Sequence, residues 1–346
     1  MSKMRALVYR DLGDVRLETV AKPKVGRGEV LVKVKAAAVC ASDIRVFKGE
    51  KKAKLGVIQG HEFSGEIEAI GREVQRFKRG ERVTLHPVIF CGHCFYCLKG
   101  HVNMCLNRRT IGYDENGGFA EYVLIPESMV SSGSLMSITD SVSYEEAALS
   151  EPLGCTVNSI ETCRLSVGAS LLIVGAGPMG LMNLLVARVS GAGKIIVSEP
   201  VKERLELAER IGADVLVNPE EEDLLSRVME ETEGLGVEAA IVSVGIPQVI
   251  SESLSAVRKL GVVNLFAGCP VDSEMMIDPN LIHYKELIVT GSQNATLTQF
   301  KRGLELLESG ALDLGCLISH RFPLERGKEA FEKRISLEGL KPVLLP

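Results

Sequence analysis

The amino-acid sequence predicts an α/β protein of two domains, one of them a doubly wound sheet of six parallel strands. Three observations carry that expectation. At 346 residues the chain is longer than one small core serves and comfortable for two domains. Six short apolar segments recur in its second half, beginning at residues 171, 195, 214, 238, 262 and 287, each the length of a buried strand. Helical patterns such as VKERLELAERIG at 201–212 stand between them, and strands alternating with helices build parallel sheets.

The chain opens on a strand, because MRALVY at 4–9 alternates apolar and polar positions. No basic stretch with an apolar core precedes it, so no secretory leader is expected. The composition, 46% hydrophobic and 25% charged, is that of an ordinary globular chain. A net charge of -5 offers no broad attraction to phosphate backbones, which argues against nucleic acid as a partner. Nine cysteines without a leader point to thiols used as ligands in a reducing compartment, and a cytoplasmic protein is expected.

Four of those cysteines, Cys91, Cys94, Cys97 and Cys105, fall in CGHCFYCLKGHVNMC at 91–105. Thiolates two residues apart fold round one cation, and the longer return to the fourth completes a tetrahedron of sulfur, the geometry zinc accepts most readily. The Gly, His, Lys and Asn around them belong to a loop rather than a core. A nucleic-acid zinc ribbon separates its two C-x2-C pairs by more residues and brings a basic stripe, which is missing here. Four protein thiolates leave no open position, so this site braces a loop and does not touch substrate. His93 and His101 in the same lobe read as ordinary exposed polar groups.

An open metal site needs other ligands, and three separated stretches supply them: VCASD with Cys40, GHEFSG with His61 and Glu62, and SEPLGC with Glu151. Alone, each has a plain explanation: a core cysteine, an exposed His-Glu pair, a helix start. Their order gains meaning from LLIVGAGPMG at 171–180, an apolar strand followed by Gly175, Gly177 and Gly180 at dinucleotide-loop spacing, with Pro178 and Met179 between. The first glycine makes the tight turn, the second admits a pyrophosphate to the backbone, and the third packs helix on strand. The next strand, KIIVSE, ends on Glu199, where an acid accepts the ribose hydroxyls. The run Leu165 to Ala187 carries no charge and is long enough to cross a bilayer. Its glycines and proline break such a helix, so a buried strand turning into a buried helix is expected and no membrane span.

Taken together, VCASD at 39–43, GHEFSG at 60–65, the four-cysteine lobe, GGFAEY at 117–122, EPLGC at 151–155 and GAGPMG at 175–180 resemble the zinc-dependent medium-chain dehydrogenase/reductase superfamily. Within it the likeness is to the polyol, sorbitol-like dehydrogenases, and it covers essentially the whole chain. The resemblance implies a β-rich GroES-like catalytic domain made of residues 1–155 and 296–346, with the zinc lobe near 88–108. A six-stranded Rossmann domain at 156–295 interrupts it, and the active site lies in the cleft between the two. It further implies two zinc ions per chain and NAD as cofactor. Cys40 and His61 match the catalytic zinc ligands, with Glu62 and Glu151 competing or alternating for the remaining position. Glu151 stands where the alcohol enzymes of the superfamily have a second cysteine, and its harder oxygen leaves zinc a stronger Lewis acid.

Ser42 matches the family's relay hydroxyl, although a Ser there also suits a helix or turn cap. Asp43 is expected to orient a ligand. Arg45 replaces the histidine that ends the proton relay in many relatives. It cannot titrate near neutral pH, and is expected either to attract an anionic substrate, with Lys48 and Arg109, or to be a solvated charge. Phe119 is expected at the substrate. Glu199 and Arg204 border the adenosine, and Ala267, Gly268, Cys269, Ser292 and Gln293 the nicotinamide half. The implied activity is hydride transfer from a secondary alcohol of a polyol or sugar derivative to NAD, giving a ketone. An amino alcohol such as threonine, a diol such as 2,3-butanediol, and an acidic or phosphorylated polyol are the alternatives. The family also implies a homodimer or homotetramer.

Overall fold

A computed structural model describes residues 2–346, which divide into two compact units, residues 2–154 with Ala295–Pro346, and Cys155–Asn294. The first division falls inside one helix, Ser150–Thr162.

The second unit is built on the six expected strands. In sheet order they are Val215–Val217, Ile195–Ser198, Leu171–Val174, Val237–Val242, Val257–Leu265 and Ile288–Gly291, every neighbouring pair parallel. Leu171–Val174 and Ile195–Ser198 are buried at every position. Helices cover both faces of such a sheet, so its strands read as unbroken apolar runs rather than alternating ones. Sequence order reverses at the pairing of Leu171–Val174 with Val237–Val242, and ligands of doubly wound sheets bind beyond the strand ends at this switch point. The uncharged run from Leu165 resolves into the strand Leu171–Val174 and the helix Pro178–Val189. Among the described residues no helix is long and apolar enough to cross a membrane.

The first unit holds a mixed sheet ordered Ile318–Pro323, Lys341–Leu345, Val30–Ala38, Glu62–Ile70, Arg82–Leu85 and Leu135–Ser137, with Tyr122–Ile125 also pairing Val30–Ala38. The terminal KPVLLP thus lies inside this sheet, Val343 opposite Ala38. Because Ala38 also pairs with Glu62, strands far apart in sequence meet where Val30–Ala38 delivers the chain to Cys40. Phe119 is fully buried here, at 0% exposure, with its ring 5.9 Å from that of Phe331. Its contacts are those of packing, and it has no surface to offer the substrate expected there.

Candidate functional site

Cys40 is the last residue before the helix Ala41–Phe47. Its backbone N–H donates to Asp43 Oδ2 at 2.9 Å, while the other oxygen of Asp43 lies 3.3 Å from His61 Nδ1. One fully buried carboxylate therefore holds the cysteine by a hydrogen bond and faces the histidine as an ion-pair partner. The Sγ of Cys40, a ring nitrogen of His61 and a carboxylate oxygen of Glu62 lie within 4.8 Å of one another, a sulfur, nitrogen and oxygen set that suits zinc. Burial opposes charge on His61, but Asp43 and Cys40 outweigh it and hold the imidazole pKa well above its ordinary value. In the metal-free chain the ring keeps a proton that a cation would displace.

Glu62 is also fully buried, and both its oxygens accept from Lys341 Nζ at 2.6 Å. Burial lowers the pKa of Lys341, yet the neighbouring Glu62 and Cys40 raise it above its ordinary value, so the pair is ionic. Glu151 lies in the first turn of the helix Ser150–Thr162, and its charge is felt by Lys51 and Tyr113.

Tyr113, like Lys341, is a site residue that the sequence did not reveal. Its buried hydroxyl stands 2.6 Å from Ser42 Oγ and 3.1 Å from His61 Nδ1. Burial, then Asp43, pushes its pKa well up, so it remains a neutral phenol. Ser42 Oγ donates to Cys40 Sγ at 3.2 Å and lies 3.5 Å from His61 Nε2. Arg45 points to Glu50, 3.6 Å away, with its side chain 41% exposed, and Arg109 pairs with Glu115.

The four cysteines of the lobe also bring their sulfurs within 4.8 Å of one another. Tetrahedral Zn–S bonds of about 2.3 Å put sulfurs about 3.8 Å apart. Here Cys105 Sγ is 3.6 Å and Cys97 Sγ 4.0 Å from Cys91 Sγ, so the set fits zinc before any ion enters. The backbone at His93 pulls the Cys91 thiol down to about 6, while burial pushes Cys97 up to about 12. Neighbouring thiols do not all ionise until a cation balances them.

In the second unit Gly175 has φ +93°, a left-handed turn that favours glycine. A Cβ at Gly180 would fall on the Gly175 carbonyl, whereas one at Gly177 would meet nothing within 4 Å. Gly180 is thus demanded by packing, and the space beside Gly177 fits an approaching pyrophosphate at a helix N-terminus with Pro178 in its first turn. Glu199 is 4% exposed and accepts from the backbone N–H of Ala176 at 2.7 Å and of Val201 at 3.2 Å. The Arg204 guanidinium is 3.6 Å away. Ala267, Gly268 and Cys269 follow the strand Val257–Leu265, and Ser292 and Gln293 follow Ile288–Gly291. They stand at the same carboxyl-end edge of the sheet as Gly175 and Glu199, and Asn264 steadies Ser292 Oγ at 3.1 Å.

Comparison with known proteins agrees with this chemistry. Residues 26–134 match the alcohol dehydrogenase GroES-like domain and residues 178–309 the zinc-binding dehydrogenase domain. Among curated relatives, L-threonine 3-dehydrogenase of Pyrococcus horikoshii is 37% identical, covering 95% of each chain. D-arabitol-phosphate dehydrogenase of Enterococcus avium is 37% identical over 93% of this chain and 91% of the relative. Sorbitol dehydrogenase of Bacillus subtilis is 32% identical over 99% and 97%. Among solved structures, a zinc-binding dehydrogenase from Sinorhizobium meliloti bound to NADP superposes with a TM-score of 0.95 at 29% identity, covering 100% of both chains. An alcohol dehydrogenase from E. coli complexed with NADH does so with a TM-score of 0.91 at 27% identity, again over 100% of both. The first unit is accordingly a GroES-like domain and the second a Rossmann domain. With relatives this similar along nearly its full length, the chain belongs to the zinc-binding medium-chain alcohol dehydrogenase superfamily.

Proposed function

We propose that this chain oxidises a secondary alcohol of a polyol or sugar derivative to a ketone, with NAD as the hydride acceptor. The observation that carries the reading is the mixed donor set of Cys40, His61 and Glu62 within 4.8 Å, which leaves a metal position for substrate where the four-cysteine set leaves none. When bound, zinc supplies a Lewis acid that polarises the substrate hydroxyl, and the nicotinamide accepts hydride.

The chain's own residues do the rest. Cys40 and His61 would hold the metal, and Glu62 or Glu151 would supply its oxygen donor. Asp43 beside Nδ1 favours the tautomer that leaves His61 Nε2 for the metal. Ser42 hydrogen-bonds the substrate oxygen and passes its proton outward, its hydroxyl oriented by Tyr113 at 2.6 Å. Arg45, exposed and facing Glu50, acts as a solvated charge rather than as a substrate contact. Residues 1–155 and 296–346 form the catalytic domain, and 156–295 the nucleotide domain.

NAD rather than NADP is the cofactor, because a buried Glu199 repels a 2′-phosphate and accepts free ribose hydroxyls. Arg204 flanks the adenosine, and Ala267, Gly268, Cys269, Ser292 and Gln293 border the nicotinamide half. We infer a cytoplasmic homodimer or homotetramer. Val271, Met276 and Tyr284, 75%, 92% and 73% exposed, are large apolar side chains available for self-association.

A second reading, oxidation of an amino alcohol or of a phosphorylated polyol, is favoured by the relatives that act on threonine and on arabitol phosphate. The test is a panel of sorbitol, 2,3-butanediol, L-threonine and an arabitol phosphate, each run with NAD and with NADP on zinc-loaded protein. Cofactor reduction with at least one secondary alcohol, lost on zinc removal, is expected. No reduction with any alcohol and either cofactor overturns the reading.

A further inference from the structure

Beyond the ligand residues, the most unusual charge beside the site is Lys51. The chain leaving the helix Ala41–Phe47 folds back so that the Lys51 N–H bonds the Arg45 carbonyl at 3.2 Å. The Lys51 ammonium comes to rest 3.8 Å above the centre of the Tyr113 ring. The hydroxyl of that ring touches both Ser42 and His61, so a single aromatic ring separates the ammonium from the metal-ligand cluster. Among the described residues the Lys51 ammonium has no hydrogen-bond or ion-pair partner.

Its neighbours explain why that matters. Burial opposes its charge most and Arg108 adds to this, while Cys40 and Asp43 from the start of the helix Ala41–Phe47 and Glu151 from the helix Ser150–Thr162 favour it; the balance lowers its pKa. Asp43 is already committed to the Cys40 N–H and to His61, and Cys40 to the ligand set. Arg108 adds a second positive charge to the surroundings of Lys51. Three ammonium N–H donors left without acceptors in such surroundings gain more from an arriving anion than an exposed lysine does. Arg45 differs, since it faces Glu50 at 3.6 Å.

We propose that Lys51, seated on Tyr113 and backed by Arg108, recognises an oxyanion of the substrate, so that the natural substrate is a secondary alcohol bearing a carboxylate or phosphate close to the oxidised carbon. The inference rests on the proposed alcohol oxidation and names the substrate class of that same site. The ammonium is a specificity group, and it takes no part in hydride transfer. Carboxylate and phosphate share the chemistry it reads, and the arms of the test tell them apart.

The test is Lys51→Met in the full zinc-loaded chain, with zinc content checked, assayed on L-threonine, an arabitol phosphate and sorbitol. The ratio of kcat/KM for the preferred anionic substrate to that for sorbitol should fall about 10- to 100-fold, the worth of one charge-assisted hydrogen bond. The fall should appear in KM, and Lys51→Arg should restore most of it. A fall on the threonine arm assigns a carboxylate and a fall on the phosphate arm a phosphate, and either supports the proposal. Calorimetric titration with inorganic phosphate gives a readout free of turnover: the zinc-loaded wild type should bind it, and Lys51→Met or Lys51→Gln should weaken binding by a similar factor. If wild type oxidises alcohols but the substitutions leave both the ratio and phosphate binding unchanged, the oxyanion role is wrong and the alcohol reading stands. If wild type oxidises no alcohol, both fall together.

Discussion

Replacing Lys341 by Met removes the single cation that both oxygens of Glu62 contact at 2.6 Å. Lys341 is 2% exposed and Glu62 0%, so water cannot take over the orphaned carboxylate. Breaking a buried ion pair from one side costs about 3–5 kcal/mol. For a domain of this size, that is a fall in Tm of about 6–20 °C. Replacing both partners, Glu62→Gln with Lys341→Met, leaves no uncompensated charge and should recover more than half of the loss. The pH dependence has a definite sign. The folded-state pKa of Lys341 is raised above its ordinary 10.5, so its contribution is fully present below that pH and is lost only as pH rises through the folded value. The deficit of Lys341→Met should therefore be flat across neutral pH. Thermal and urea unfolding of the zinc-free single and double variants measure it. A single variant within about 1 kcal/mol of wild type, or a double variant no better than the single, would refute the buried-charge argument.

Metal analysis should find two zinc ions per chain. Cys94→Ser should lose one of them together with thermal stability, whereas Cys40→Ser should lose turnover with little unfolding. Uptake at the His61 set should weaken as pH falls, because the ring's raised pKa lets protons compete with the metal; uptake independent of pH would contradict this. Glu199→Ala should move the kcat/KM ratio from NAD toward NADP, and comparable values for both cofactors in wild type would defeat the assignment. Gly177→Ala should leave nucleotide-free stability nearly unchanged, since its Cβ enters open space, while weakening dinucleotide binding about tenfold in a fluorescence titration. Unchanged binding would place the pyrophosphate elsewhere.

The Rossmann sheet was legible because its central strands, Leu171–Val174 and Ile195–Ser198, are buried on both faces and so read as continuous apolar runs with a glycine turn between them. The first unit was not legible in the same way. Its sheet joins strands from residues 30–38, 62–70 and 341–345, and no local pattern announces such pairings. The four-cysteine lobe could be read from spacing alone because its ligands are local. Cys40, His61 and Glu62 gained meaning only from their order along the chain.

Tyr113 and Lys341 escaped notice because their partners lie 71 and 279 residues away. One signal was present: a lysine at the head of the apolar KPVLLP becomes a buried charge if that segment enters a sheet, and a buried charge requires a partner. Phe119 erred in the other direction. Its place in GGFAEY suggested substrate contact, whereas its ring packs against Phe331 and fills the space over Gly60, where a Cβ would meet it at 2.5 Å.

The charges around Cys40 bear on why one metal set braces a loop while the other can exchange a ligand. In the four-cysteine lobe only sulfurs converge, and each thiolate depends on the metal to balance its charge, so the metal is held from every side. In the Cys40 set the acids are balanced by protein groups as well: Asp43 by His61 and the Cys40 N–H, and Glu62 by Lys341. A carboxylate already neutralised by an ammonium gives up a metal at lower cost than one left bare in a buried place. On the proposed reading this lets Glu62 yield its position to substrate or to Glu151 without stranding a charge. The same logic isolates Lys51. With Asp43 and Glu62 each paired, the Lys51 ammonium is left with the face of the Tyr113 ring and the field of Cys40 and Glu151, and on the proposed reading an anionic substrate is the partner that completes the balance.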